Sequence, residues 1–267
     1  YKEAMFQGGQ RVDFFLFADA HYTTKPQTGD RLHLLSADKL RYALNAEREN
    51  YNFIVNLGDT TDAVPGYLPQ SACFERMKEI MATSGKPYFS VIGNHDTATE
   101  KKSIIALCEM PGRYFSYDAG PFLCLFLDSS SNCVTEPYPT GLIDWERCMI
   151  DDAQFTWICD TLCKARKPVL VFAHACFALK AGESEESHLI LNREPIMRIF
   201  AQSSKVAAVF CGHYHPGDLQ VVDGISYITL AAMCVGQENA YCVVRVKDGE
   251  IIVRGSGRQP SYRIQHK

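Results

Sequence analysis

Five apolar runs of strand length recur along this chain, and each ends in residues of the kind that bind divalent metals. They are "VDFFLFADAHY" from Val12, "NFIVNLGDTTD" from Asn52, "PYFSVIGNHD" from Pro87, "PVLVFAHA" from Pro168 and "VAAVFCGHYH" from Val206. Short continuous apolar runs read as buried strands. Their ends carry, in order, Asp19 and His21, Asp59, Asn94 and His95, His174, then His213 and His215. In extended backbone residues i and i+2 point to the same side, so His213 and His215 are expected to aim at one point. Where strands are parallel their carboxyl ends share one edge, and ligands gather there.

The segments between the runs have helical spacing. Leu40, Ala43 and Leu44 follow Ser36; Phe74, Met77 and Met81 form a second set. Phe155, Ile158 and Leu162 lie behind Asp151 and Asp152, and Ile196, Ile199 and Phe200 follow Pro195. Acidic residues and proline suit helix N-termini. Alternating β and α elements imply a parallel core sheet. "RYFSYDAGPFLCLFLDSS", with a turn at Asp118–Pro121, reads as two strands. "VVDGISYITL" and "YCVVRVKDGEIIVRG" place Asp-Gly between apolar runs, a hairpin signal. The expected fold is therefore α/β with mixed rather than purely parallel sheets.

The 267 residues contain no linker-like tract or repeat, and one domain over 1–267 is expected. A net charge of -4 argues against broad electrostatic binding to nucleic acid. No apolar run approaches the roughly 20 residues needed to span a bilayer. Eleven cysteines without disulfide-like spacing favour a reducing, cytoplasmic compartment. The chain begins at Tyr1, so the alternative is an exported protein whose N-terminal signal has been removed.

Three Asp/Asn oxygens with four imidazoles suit borderline cations, Mn²⁺, Fe²⁺ or Zn²⁺. Seven such side chains are too many for one ion and suit two. A pair of ions about 3.5–4 Å apart can hold a bridging hydroxide and clamp phosphoryl oxygens for in-line displacement, which points to phosphoester hydrolysis.

The series "DAH", "GDTTD", "GNHD", a lone His after a strand, and "GHYH" resembles the signature of the calcineurin-like metallophosphoesterases, and spans residues 19–215. That resemblance implies a four-layer α/β/β/α sandwich of two mixed sheets. It implies that Asp19, His21 and His215 hold one ion, that Asn94, His174 and His213 hold the other, and that Asp59 bridges them. His95 is cast as the non-ligand that gives a proton to the leaving oxygen, with Asp96 orienting it. Asp62 is expected to support the site from behind rather than bind metal. Asp128 is open between a supporting acceptor and a turn former. His33, His188 and His266 are expected to face solvent.

Departures from the family's branches narrow the substrate. Position 62 is Asp where purple acid phosphatases carry a metal-binding Tyr, so no ferric–tyrosinate centre is expected. The arginines of Ser/Thr protein phosphatases are missing beside both motifs, which disfavours protein phosphatase activity. "GDTTD" and "GNHD" are closer to the cyclic-nucleotide phosphodiesterase branch. Longer stretches, among them "RGSGRQPSY", are similar to bacterial relatives of the manganese-dependent ADP-ribose/CDP-alcohol diphosphatases. Arg31, Arg113 and Arg258 are candidates for gripping a phosphate. A small-molecule phosphodiester, cyclic nucleotide or nucleotide diphosphate is the expected substrate. The alternatives are a broad phosphomonoesterase, a nuclease of the same superfamily, or a non-catalytic scaffold, the last disfavoured because every ligand position is filled. The segment between Glu136 and Asp152 is a candidate lid, with an ordinary surface loop as the equal alternative.

Overall fold

The computed structural model describes residues 11–131, 146–180, 186–247 and 249–266. Most of the candidate lid lies outside them. In chain order the strands are β1 (Arg11–Phe17), β2 (Phe53–Asn56), β3 (Tyr88–Ser90), β4 (Phe115–Ala119), β5 (Phe122–Phe126), β6 (Val169–Phe172), β7 (Val206–Cys211), β8 (Asp218–Val222), β9 (Ile225–Thr229), β10 (Ala240–Lys247), β11 (Glu250–Gly257) and β12 (Tyr262–Gln265). The helices are α1 (Leu35–Ala46), α2 (Gln70–Ala82), α3 (Lys101–Leu107), α4 (Asp152–Lys164) and α5 (Arg193–Ser203).

Two six-stranded mixed sheets result, ordered β12-β11-β10-β1-β2-β3 and β4-β5-β6-β7-β9-β8. β1, β2 and β3 run parallel in the first, and β5, β6, β7 and β9 run parallel in the second. Antiparallel hairpins complete both. The five runs therefore divide three and two between facing sheets, instead of sharing one.

Each core strand is buried on both faces, which is why its sequence is continuously apolar rather than alternating. Phe14, Leu16, Phe53 and Val55 meet Phe126, Phe172 and Phe210 between the sheets. Register aligns Phe126 with Phe172 and Phe172 with Phe210, and their rings stack at 4.9 and 5.4 Å. Phe14 closes on Phe172 edge-to-face at 5.5 Å. Burying each such ring contributes about 2–3 kcal/mol. The alternate residues Phe15, Phe17 and Ile54 point outward onto Leu40 and Leu44 of α1 and Met77 and Met81 of α2. On the far side Val169, Val171 and Val209 pack under Ile158 and Leu162 of α4 and Ile196 and Phe200 of α5. The layers are helix, sheet, sheet, helix, the expected sandwich.

Local chemistry fixes the ends. The Asp151 carboxylate accepts the Gln154 N–H at 2.9 Å and caps α4. Asp223 and Gly224 both take positive φ, as a two-residue hairpin turn requires. Helix α3 had no counterpart in the sequence reading; it has seven residues and buries only Lys101 and Ile104. Among the described residues no helix is long and apolar enough to cross a membrane.

Candidate metal centre

The carboxyl ends of β1, β2 and β3 face those of β6 and β7, and the ligand-type side chains meet in the cleft. Asp19, His21, Asn94 and His174 are fully buried, and Asp59 is nearly so. Their separations are those of donors around a shared cation: with bonds of about 2.0–2.2 Å to an ion, neighbouring donors stand roughly 3–3.6 Å apart. His21 Nε2 lies 3.2 Å from His215 Nε2, and Asp19 Oδ1 lies 3.8 and 3.7 Å from those two atoms. That is one donor set. His174 Nε2 lies 3.1 Å from Asn94 Oδ1, and Asp59, His174 and His213 form a second cluster. The two sets meet at one atom. Asp59 Oδ2 is 3.5 Å from His21 Nε2 and 3.3 Å from His174 Nε2.

The imidazoles are turned to offer lone pairs inward. His21 Nδ1–H is donated to Asp62 at 2.8 Å, and His174 Nδ1–H to the Leu57 carbonyl at 2.8 Å, which leaves each Nε2 free to ligate. Asn94 turns Oδ1 into the cluster while its buried Nδ2 has no partner among the described residues. Electrostatics agree that positive charge belongs here. Burial and the neighbouring Asp59 push Asp19 up to about 7. Burial opposes charge on Asp59 too, but His174, His95 and His21 hold it well below the usual carboxylate range. Burial, with His21 and Arg31 beside it, pushes His215 down to about 2. Against the effect of burial, Asp59 in turn pushes His174 up to about 9. Two buried carboxylates among imidazole nitrogens that take either a proton or a metal are the surroundings of cations, and the residues fit a pair of divalent ions.

Backbone strain concentrates at the same positions. Asp19, His21, Asp59 and His213 all adopt positive φ, at 54°, 44°, 47° and 70°. Such conformations cost of order 1 kcal/mol or more each and persist only where surrounding structure imposes them. Gly93 shows how tight the fit is: a Cβ there would stand 2.1 Å from both the Asp59 amide nitrogen and Asp59 Oδ1. Gly212 serves close approach too, since a Cβ would meet Asp19 Oδ2 at 2.8 Å. The turn after β7 is not extended, and the left-handed residue in it is His213 itself. It parts the two histidines, His215 toward His21 and His213 toward His174.

Several expectations require correction. Asp96 does not orient His95: its carboxylate accepts the backbone N–H groups of Thr60, Thr61 and Gly93 at 2.9, 3.2 and 3.0 Å, tying the two ligand loops together. Asp62 does the orienting, with Oδ1 2.9 Å from His95 Nδ1 and 2.8 Å from His21 Nδ1. His33 is buried, not exposed; its Nδ1–H is donated to the His21 carbonyl at 2.8 Å. His188 is half-buried with its ring 5.1 Å from that of His213. Arg113 is held by the buried carboxylates of Asp128 and Asp151, and Arg258 donates to the carbonyls of Ala232 and Val235. Neither is free for substrate. Asp128 is a structural acceptor that also takes Lys101 at 2.7 Å. Arg31 differs: it acts electrostatically on Asp19, His95 and His215, and its guanidinium makes no hydrogen bond or ion pair among the described residues.

His95 and His215 are the parts of the centre open to solvent, at 23% and 21% of side-chain surface. They mark the mouth. Burial works against a proton on His95, but Asp59 and Asp62 outweigh it and raise its pKa above the ordinary value.

Residues 13–217 match the calcineurin-like phosphoesterase family. The chain belongs to that family. It is 28% identical over 203 residues to the serine/threonine-protein phosphatase CPPED1 of Danio rerio, covering 72% of this chain and 62% of that protein. This chain thus matches less than two thirds of that relative's length. It is 23% identical over 297 aligned positions to a manganese-dependent ADP-ribose/CDP-alcohol diphosphatase of Oryza sativa subsp. japonica, covering 92% of this chain and 91% of that one. In fold it is similar to a dimetal phosphatase from Danio rerio, with a TM-score of 0.82 at 18% identity over 96% of this chain and 99% of that one.

Proposed function

We propose that this chain hydrolyses small phosphoric esters (phosphodiesters, cyclic nucleotides or nucleotide diphosphates) using two divalent ions drawn from Mn²⁺, Fe²⁺ and Zn²⁺. Asp19, His21 and His215 would hold one ion, Asn94, His174 and His213 the other, and Asp59 would serve both. The observation that carries the reading is the meeting of two donor sets at Asp59 Oδ2. When bound, such a pair supplies a water of lowered pKa and neutralises charge on phosphoryl oxygens.

The protein's own groups do the rest. With Nδ1 engaged by Asp62, His95 presents Nε2 at the mouth and delivers a proton to the departing oxygen. Asp62 holds His21 and His95 with one oxygen, so ligand and acid keep a fixed relation. Arg31, unengaged and beside the centre, grips a phosphate oxygen beyond the scissile bond.

The test is turnover after reconstitution with Mn²⁺. Bis-p-nitrophenyl phosphate or p-nitrophenyl phosphate should be hydrolysed. A panel of cyclic nucleotides, ADP-ribose, CDP-alcohols, sugar phosphates and a phosphoserine peptide then ranks the substrates. The peptide tests the activity named for the CPPED1 relative, which the missing motif arginines disfavour. Arg31→Ala should raise KM for ADP-ribose about tenfold with a smaller change for p-nitrophenyl phosphate, the loss of one charge-assisted bond of about 1.5 kcal/mol. No turnover of any phosphoester, or equal KM changes for both substrates, would count against the respective parts of this reading.

A further inference from the structure

The segment that follows β9 brings a thiol to the edge of the metal centre. One ligand atom each from Cys234, His21 and His215 lie within 4.8 Å of one another. Cys234 is fully buried, and its Sγ makes no hydrogen bond among the described residues. The buried thiol of Cys176, by contrast, is donated to the Gly212 carbonyl at 3.2 Å. An unpartnered, buried soft donor therefore stands within 4.8 Å of a nitrogen of each of two imidazoles.

The placement is built, not incidental. Cys234 N–H is donated to the Asp19 carbonyl at 3.0 Å, and its own carbonyl accepts Leu32 N–H at 2.7 Å. The preceding residues are strung across the same ligands: Met233 N–H reaches the Ala18 carbonyl, and Ala232 N–H the His215 carbonyl, each at 3.0 Å. The buried amine of Lys39 then clamps the carbonyls of Met233 and Gly236 at 2.9 and 2.6 Å. The backbone that carries Cys234 cannot move away from His21 and His215 without breaking bonds to residues that flank or carry the ligands.

From this arrangement we infer that Cys234 is a ligand of the first ion and makes that position selective for thiophilic divalent metals. The inference rests on the two-metal reading above. Sulfur added to the two imidazoles and the carboxylates of Asp19 and Asp59 shifts the first position toward Zn²⁺, Co²⁺ or Fe²⁺ over Mn²⁺, whereas the second position, built from the shared Asp59 with Asn94, His174 and His213, offers only nitrogen and oxygen. The two positions are chemically unequal, and a mixed pair is the preferred state. On binding, the sulfur–metal bond forms as the thiol proton leaves to solvent.

Cobalt(II) reads this directly. Metal-free protein titrated with Co²⁺ should develop a near-ultraviolet thiolate-to-cobalt charge-transfer band alongside visible ligand-field bands. Cys234→Ser should lose the first and keep the second. In Zn²⁺/Mn²⁺ competition followed by elemental analysis, the serine variant should lose about tenfold or more of the zinc preference at one of its two positions. Ligand-field bands without charge transfer in the parent, or a charge-transfer band unchanged in Cys234→Ser, would overturn the inference and leave the two-metal centre standing. Failure to bind cobalt at all would overturn both.

Discussion

Alanine at position 95 should cut kcat by about 10²–10⁴-fold while both ions stay bound. The His95 ring also comes within 4.8 Å of the ligand atoms of His21 and Asp59, but its Nδ1 faces Asp62 and its backbone N–H goes to Asp59 Oδ1 at 2.8 Å, and its proposed role is proton donor rather than ligand. Removing the ring deletes a proton donor, whose contribution to such reactions is of that size. The backbone bond to Asp59 survives the change, so the ligands keep their places. A leaving group that needs no proton, such as p-nitrophenolate, should recover part of the loss, whereas an alkoxide leaving group should not. Metal content is read by elemental analysis and turnover on the two ester types. An alanine variant as active as the parent on both esters removes His95 from the mechanism.

Gly93→Ala should do more damage than any loss of a single ligand. The added methyl would have to occupy space 2.1 Å from the Asp59 amide nitrogen and from Oδ1, where neither can yield, because Asp59 already holds a left-handed backbone. Gly58, against which a Cβ would meet the Gly93 nitrogen at 2.7 Å, closes the other side. The loops must part, and Asp59 is the residue common to both donor sets. The expected result is a destabilisation of about 3 kcal/mol, at the upper end for overpacking, with a lowered Tm, loss of both ions and no measurable turnover. Thermal unfolding and metal analysis of the variant check this. Two ions retained at normal affinity would show that the loops tolerate separation and that the fit is looser than the distances imply.

Much of the centre could be read from the chain because its parts are local. Each candidate ligand follows closely on a strand, and an apolar run ending in Asp, Asn or His is visible without knowing what lies beside it. The hairpins were legible for the same reason: Asp223-Gly224 needs only its own backbone to declare a turn. What could not be read depends on partners far away in sequence. Whether Asp62 or Asp96 orients His95 turns on which side of the cleft each carboxylate faces; proximity in sequence favoured Asp96, and its three backbone donors claim it instead. Arg113 and Arg258 carried the same residue-type signal as Arg31, and only tertiary structure shows that carboxylates and carbonyls already occupy the first two. His33 sits in a polar stretch, yet the packing of its loop over β1's end buries it against His21. Cys234 had no signal beyond an apolar neighbourhood, since a thiol in a core run reads as a small hydrophobe. The division of the five strands between two sheets escaped for a related reason: parallel order is visible in β–α alternation, but not which strands pair.

The centre described here stands or falls on how many cations this one chain binds. Metal-free protein dialysed against Mn²⁺ or Zn²⁺ and analysed for metal should hold two ions per chain, and phosphoester turnover should rise with occupancy of the second. One ion per chain at saturation, or undiminished hydrolysis in protein stripped of metal, would contradict it.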